Sequence, residues 1–169
     1  MLVVADSSPF IVLANIGHLE ALPKLFGEVI IPPAVASELA DISRPIAVRD
    51  FSANPPTWLK VRRPASVQLI AGLHPGESEA LSLAIELHAD LIVIDDRRAY
   101  REAIARNLNA VGTIRVLERA AAAGLLDLAA AFESIKRTDF WISHKLLDDR
   151  LKLFIRQKAE TKDERGDQI

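Results

Sequence analysis

Carboxylates stand at four places in this chain where packing alone would not put them: Asp6, Glu38, the pair Glu77/Glu79 and the pair Asp95/Asp96. Asp6 ends the apolar run Leu2-Val3-Val4-Ala5, and Asp95-Asp96 end Leu91-Ile92-Val93-Ile94. The other two lie near the starts of helical stretches. Gathered on one cleft, these acids would make a site for a hard divalent cation, because a donor set of carboxylate oxygens suits Mg²⁺ or Mn²⁺ rather than zinc. Without a cation, three or four close carboxylates repel and raise one another's pKa. A cation removes that penalty and can activate water and neutralise charge on a phosphodiester.

Each acid also has an ordinary structural explanation. Asp6 precedes Ser7-Ser8-Pro9 and could cap a helix, although the two serine hydroxyls could cap while Asp6 faces a cleft. Glu38, in Pro32-Pro33-Ala34-Val35-Ala36-Ser37-Glu38-Leu39, could be a solvated helix residue. Glu77 and Glu79 fall in a first helical turn, where acids complement the helix dipole. They are two residues apart and cannot share a face, so one should point into the cleft with the other at its rim. Asp95-Asp96 could be a turn with a helix cap, yet an aspartate pair directly after four apolar β-formers suits a metal or phosphate site.

The elements that must position these acids alternate. Strands are expected at 2–5, 29–31, 91–94 and 110–113, with a short one at 58–61. Pro33 should open a helix over 34–40. Residues 43–64, with Pro45, Asn54, Pro55, Pro56 and Pro64, read as a loop around that short strand. A helix should follow Gly72-Leu73-His74-Pro75-Gly76 and run to about His88, which would sit on its packed side. Further helices are expected over 97–107, 114–123, 125–132 and about 144–158. The fold is therefore α/β: a mostly parallel sheet covered on both faces. In such sheets ligands bind beyond the carboxyl ends of the strands, where Asp6, Asp95 and Asp96 fall.

With 169 residues, 50% apolar and 26% charged, the chain reads as one globular domain. We expect it to span 1–158, its C-terminal helices covering 126–158, with a charged, frayed tail at 159–169. The absence of cysteine excludes disulfides, thiolate zinc sites and cysteine nucleophiles, and fits a reducing, cytoplasmic setting. Residues 1–6 lack the basic start of a signal peptide. No apolar run approaches the roughly 18 residues that span a bilayer, so no membrane partner is expected. The net charge of −2 means that nucleic acid would be held by local basic patches.

Taken in order, Val-Val-Ala-Asp6-Ser-Ser-Pro, Val-Ile-Ile-Pro-Pro-Ala-Val-Ala-Ser-Glu38-Leu, Gly76-Glu77-Ser-Glu79-Ala-Leu-Ser-Leu-Ala and Leu-Ile-Val-Ile-Asp95-Asp96 resemble the PIN domain. The resemblance covers about residues 1–125 and is nearest to a prokaryotic branch of predicted PIN-type nucleic-acid-binding proteins. It implies a three-layer α/β/α sandwich and a Mg²⁺- or Mn²⁺-dependent nuclease site acting on RNA, or on single-stranded DNA. It also implies a homodimer, and for many relatives a ribonuclease toxin paired with an antitoxin protein. Residue by residue, Asp6 matches the first acid, Ser8 the small polar residue beside it and Glu38 the second acid. Glu79 best matches the third and Asp96 the fourth, with Glu77 and Asp95 as alternative registers. Where the family usually has a threonine two residues before the fourth acid, this chain has Ile94. The implied chemistry is phosphodiester hydrolysis by water activated at the cation, with no protein nucleophile.

Other features are weaker. Arginines at 97, 98 and 101, together with Arg62-Arg63, Arg106 and the lysines of 145–158, could hold RNA phosphates; solvated helix surface explains them as well. Trp58, Tyr100 and Trp141 could stack on bases or simply pack. His18, His74, His88 and His144 share no ligand spacing. One rival is a relative that binds RNA or protein with weak or no catalysis, which Ile94 favours. Another is a phosphatase with Asp6 as nucleophile, disfavoured because Ser8 stands where that class usually has a second aspartate.

Overall fold

The computed structural model describes the backbone of residues 1–166 and the side chains of residues 1–160. The elements run β1 (Val3–Ala5), α1 (Ser7–Asn15), α2 (Ala21–Phe26), β2 (Val29–Ile31), α3 (Pro33–Ala40), α4 (Ile46–Ala53) and β3 (Leu59–Val61). There follow α5 (Pro75–Glu86), β4 (Leu91–Val93), α6 (Arg97–Ala105), β5 (Ala110–Val111), α7 (Thr113–Ala122), α8 (Leu128–Ile135) and α9 (His144–Gly166). Among the described residues no helix is long and apolar enough to cross a membrane.

The five strands form one parallel sheet in the order β3-β2-β1-β4-β5, flanked by helices as the α/β/α expectation requires. Val3 lies opposite Val29 on one side and Leu91 on the other, so β1 is central. Its residues are wholly buried, as a strand covered on both faces must be. Successive strands move outward from β1 through β2 to β3, while β4 and β5 lie on its other side. The direction of winding therefore changes between β1 and β4, and the crevice beyond their carboxyl ends is the natural ligand position.

On one face Val4, Ile92 and Ile94 form a buried cluster with Ala80, Leu81, Leu83 and Ala84 of α5 and with Ala99 and Ala103 of α6. Small residues on these helices let them lie close to the sheet. Side chains alternate along a strand, so Val3, Ala5, Leu91 and Val93 face the other way. They too are buried.

Backbone contacts divide the chain into a unit Met1–Val116, which holds the whole sheet, and a second unit from Leu117. In the second unit Leu128, Ala131, Phe132 and Ile135 of α8 and Leu147 of α9 are buried. Arg150 forms a bidentate ion pair with Glu118, and Lys136 bonds both Glu133 and Asp148.

Several expected boundaries shift for identifiable reasons. The stretch read as loop contains α4, because its prolines lie outside the helix: Pro45 is the N-cap, and Pro55 and Pro56 follow the end. Val48 anchors it, and Phe51 stacks on Phe10 at 5.7 Å and meets Trp58 at a tilt at 5.9 Å. The fourth strand stops at Val93, and β5 is only two residues long because Thr113 already begins α7. Helix α5 ends before His88, which is exposed and turns the chain with φ 49°. Helix α8 begins later than expected, at Leu128, where the Asp127 carboxylate accepts the Ala130 N–H at 2.8 Å. Helix α9 continues to Gly166 instead of ending near Lys158; most side chains of the tail expected to fray lie outside the described residues, as does all of 167–169.

Ile92 is 1% exposed at the centre of the α5–α6 cluster. Truncation by Ile92→Ala should cost about 2–5 kcal/mol through lost burial and a residual cavity. Urea unfolding of the two proteins measures this, with a shift in midpoint at unchanged slope expected.

Candidate active site

A cleft of about 340 Å³ is lined by Asp6, Ser7, Ser8, Ile11, Glu38, Arg44, His74 and Glu77. All of these belong to the first unit.

Asp6 is placed by the sheet. Its backbone N–H donates to the Val93 carbonyl at 3.0 Å, which ties the residue after β1 to the end of β4. It stands at the N-cap of α1, yet its side chain makes no capping hydrogen bond. The residue is 3% exposed, and its Oδ1 is buried without a hydrogen-bond partner. Ser8 Oγ reaches Oδ2 only at 3.4 Å, a weak contact. Burial therefore pushes the Asp6 carboxyl up to about 7, partly opposed by the Ser7 backbone N–H and reinforced by Glu38, Glu77 and Asp95. An orphaned carboxylate oxygen in the protein interior is costly unless something binds it.

Glu38 projects from α3 and accepts the Ser7 hydroxyl at 2.6 Å through Oε2. Its Oε1 lies so near Gly76, in the first turn of α5, that a Cβ there would be 2.3 Å away. The absent side chain lets the carboxylate approach the positive end of the helix.

Glu77 and Glu79 separate as their spacing requires. Residues two apart on a helix differ by about 200° in direction. Glu77, 9% exposed, faces the cleft, with Oε2 accepting the His74 N–H at 2.8 Å. Burial raises its pKa, opposed by the His74 N–H and strengthened by Asp96. Glu79 turns to α3, where Oε2 accepts the Ala34 N–H at 3.0 Å. It thereby satisfies one of the open donors at that helix start, and it does not line the cleft.

The strand-end pair also divides its work. Asp95 is half-buried and fully engaged by Thr113, whose N–H and hydroxyl donate to its two oxygens at 2.7 and 2.5 Å. Burial raises its pKa, and the two Thr113 bonds lower it. Gly112 leaves room for this contact, since a Cβ there would lie 2.9 Å from Asp95 Oδ1. Asp96 is exposed and caps α6, its Oδ1 accepting Arg98 and Ala99 N–H groups at 2.7 and 2.8 Å. Neither aspartate lines the cleft wall, but Asp95 acts electrostatically on Asp6, and Asp96 on Glu77.

The arginines of α6 are all exposed. Arg101 Nε donates to the Arg97 carbonyl, and the Arg98 guanidinium lies against Gly72, where a Cβ would be 2.0 Å from it. Arg106, the half-buried C-cap of α6, pairs with Glu102 in its last turn.

Among the described residues no three acids or histidines are drawn together into a finished metal cage. The donor set nevertheless fits a hard cation. It consists of carboxylate oxygens, one of them orphaned and buried, with Glu38 and Glu77 raising the pKa of Asp6 and Glu38 that of Glu77. Sequence reasoning missed Arg44 and His74 as cleft residues. The turn Asp41-Ile42-Ser43-Arg44 carried a signal, because an aspartate that bonds the backbone two residues on fixes such a loop.

No curated protein matches the chain. A solved PilT N-terminus domain protein from the hyperthermophilic archaeon Sulfolobus solfataricus P2 is similar, with TM-score 0.54 and 22% identity over 75% of this chain and 95% of its own. At that identity the likeness shows the fold. Proteins with a PIN domain are typically nucleases and generally use divalent metal ions. A family model described as PIN domain matches residues 2–156, and the chain belongs to the PIN-domain family.

Proposed function

We propose that this protein is a Mg²⁺- or Mn²⁺-dependent nuclease that hydrolyses phosphodiester bonds, with RNA as its substrate. The observation that carries the reading is the Asp6 carboxylate: buried, without a partner for Oδ1, and open to a cleft shared with Glu38 and Glu77. Asp6, Glu38 and Glu77 are the residues we assign to hold the cation, with Asp96 at the edge. Glu77 thus takes the place expected for Glu79, and Glu79 orders the start of α3. When bound there, the cation would supply Lewis acidity toward phosphate oxygens and lower the pKa of a water toward neutrality.

The chain's own residues organise that chemistry. Ser7 holds Glu38 in place, and the His74 N–H fixes Glu77. Thr113 locks Asp95 at the end of β4, keeping its charge near Asp6 without freeing either oxygen. The same reading extends, on the family resemblance, to a cytoplasmic homodimeric ribonuclease toxin held by an antitoxin. A second reading, a module that binds RNA or protein with little catalysis, is favoured by one observation: Thr113 occupies both oxygens of Asp95, while Ile94 stands at the usual threonine position.

Cleavage of a panel of RNA and single-stranded DNA should require Mg²⁺ or Mn²⁺ and stop in EDTA. Asp6→Asn and Glu77→Gln should each lower kcat/KM by about 100-fold or more, whereas Glu79→Gln should act mainly on thermal stability. Equal losses in Glu77→Gln and Glu79→Gln would reject the assignment between them.

Gly76→Ala should leave the fold intact, because alanine suits a helix and the group it meets is the end of a flexible side chain. It should displace the Glu38 carboxylate and weaken Mn²⁺ binding, read by calorimetry, by about tenfold. Unchanged Mn²⁺ affinity would remove Glu38 from the cation site.

A further inference from the structure

The acidic cleft contains one guanidinium, that of Arg44, and it is not paired with the acids. Its Nε donates to the backbone carbonyl of Glu38 at 3.0 Å, and among the described residues Arg44 takes part in no ion pair. A cation placed to neutralise carboxylates would be expected to bond Glu38 through its side chain. Bonded to the carbonyl instead, the guanidinium is held at one edge, with its terminal N–H groups left for a ligand.

The loop that carries Arg44 is built to hold it still. Asp41 Oδ1 accepts both the N–H and the hydroxyl of Ser43, at 2.8 and 2.6 Å. The Arg44 N–H donates to the Asp41 carbonyl at 3.0 Å, and Pro45 then caps α4. Ile42 and Ile46, on either side, are exposed, so this turn is an open lip and not a packing seam. Asp41, the nearest acid in sequence, gives Oδ1 to Ser43 and acts on Arg44 through its charge without forming an ion pair.

Resting on the nuclease reading above, we propose that Arg44 is a substrate-binding residue that clamps a backbone phosphate of a single-stranded polynucleotide at the mouth of the cleft. The planar guanidinium suits phosphate, offering paired N–H donors in a fixed fork. It would also solve a problem of charge: an acidic cleft repels a polyanion, and a fixed cation at the lip gives the incoming strand one favourable contact beside the acids. The chemistry selects a substrate with a phosphate next to the scissile one, hence a polynucleotide over a lone nucleotide.

The test is fluorescence anisotropy with a labelled single-stranded RNA in Ca²⁺, over a range of salt, for wild type, Arg44→Gln and Arg44→Lys. Glutamine keeps a donor for the Glu38 carbonyl and removes the charge. Arg44→Gln should weaken binding about tenfold and reduce the slope of log affinity against log salt by about 1, with melting temperature and Mn²⁺ affinity unchanged. Arg44→Lys should restore the slope with only part of the affinity. An unchanged slope in Arg44→Gln would overturn the proposal, as would a loss of affinity accompanied by loss of Mn²⁺ binding or of the folded state. The nuclease reading fails separately. If wild type cleaves no substrate but Arg44→Gln lowers the slope, the clamp stands without catalysis; if wild type cleaves and Arg44→Gln keeps both rate and slope, the clamp falls and the nuclease stands.

Discussion

One buried charge governs this architecture: the carboxylate of Asp6, set at the end of the central strand with an oxygen that nothing in the protein binds. A parallel sheet places it there. The β1 strand is enclosed on both faces and both edges, so the first residue beyond it remains in the interior, and the bond from its N–H to Val93 holds it. Water cannot freely solvate the charge, and the protein answers by holding the proton to about pH 7. Such a group weakens the fold at neutral pH unless a cation compensates it.

The surrounding contacts make sense as consequences. Every other acid near Asp6 has at least one oxygen anchored by a named donor: Ser7 for Glu38, His74 for Glu77, Thr113 for Asp95, and the first turn of α6 for Asp96. These bonds keep like charges at fixed positions despite their repulsion, which is what a preorganised cation site requires. Two glycines that admit close approach of these acids, Gly76 to Glu38 and Gly112 to Asp95, serve the same end.

How much was legible in the sequence depended on the range of the interaction concerned. The apolar β-branched runs located β1, β2 and β4, alternation located β3, and an acid directly after each of two runs pointed to the cleft edge, because burial of a strand is a local property of composition. Helix α4 was not legible, since its prolines count against a helix until their positions at its two ends are known. The choice between Glu77 and Glu79 was open for a related reason. Helical spacing shows that they diverge, but which of them meets the cleft depends on how α5 is rotated against α3, a packing outcome. Asp95 and Thr113 are 18 residues apart and meet only because β4 and β5 pair. Arg44 joins the site through a turn whose aspartate and serine were visible, though its direction was not.

The most direct test of the central claim is the thermal stability of wild type and Asp6→Asn between about pH 5 and pH 8, in EDTA and in Mn²⁺. With a folded pKa near 7 against 3.8 for the free side chain, the folded protein keeps a proton that the unfolded chain has lost. This group's contribution to stability must then fall as pH rises through that window and level off above it. In EDTA, wild type should therefore lose ground to Asp6→Asn as pH rises, and Mn²⁺ should recover that loss in wild type alone at pH 8. A difference between the two proteins that does not change with pH, or Mn²⁺ stabilising both equally, would contradict the account.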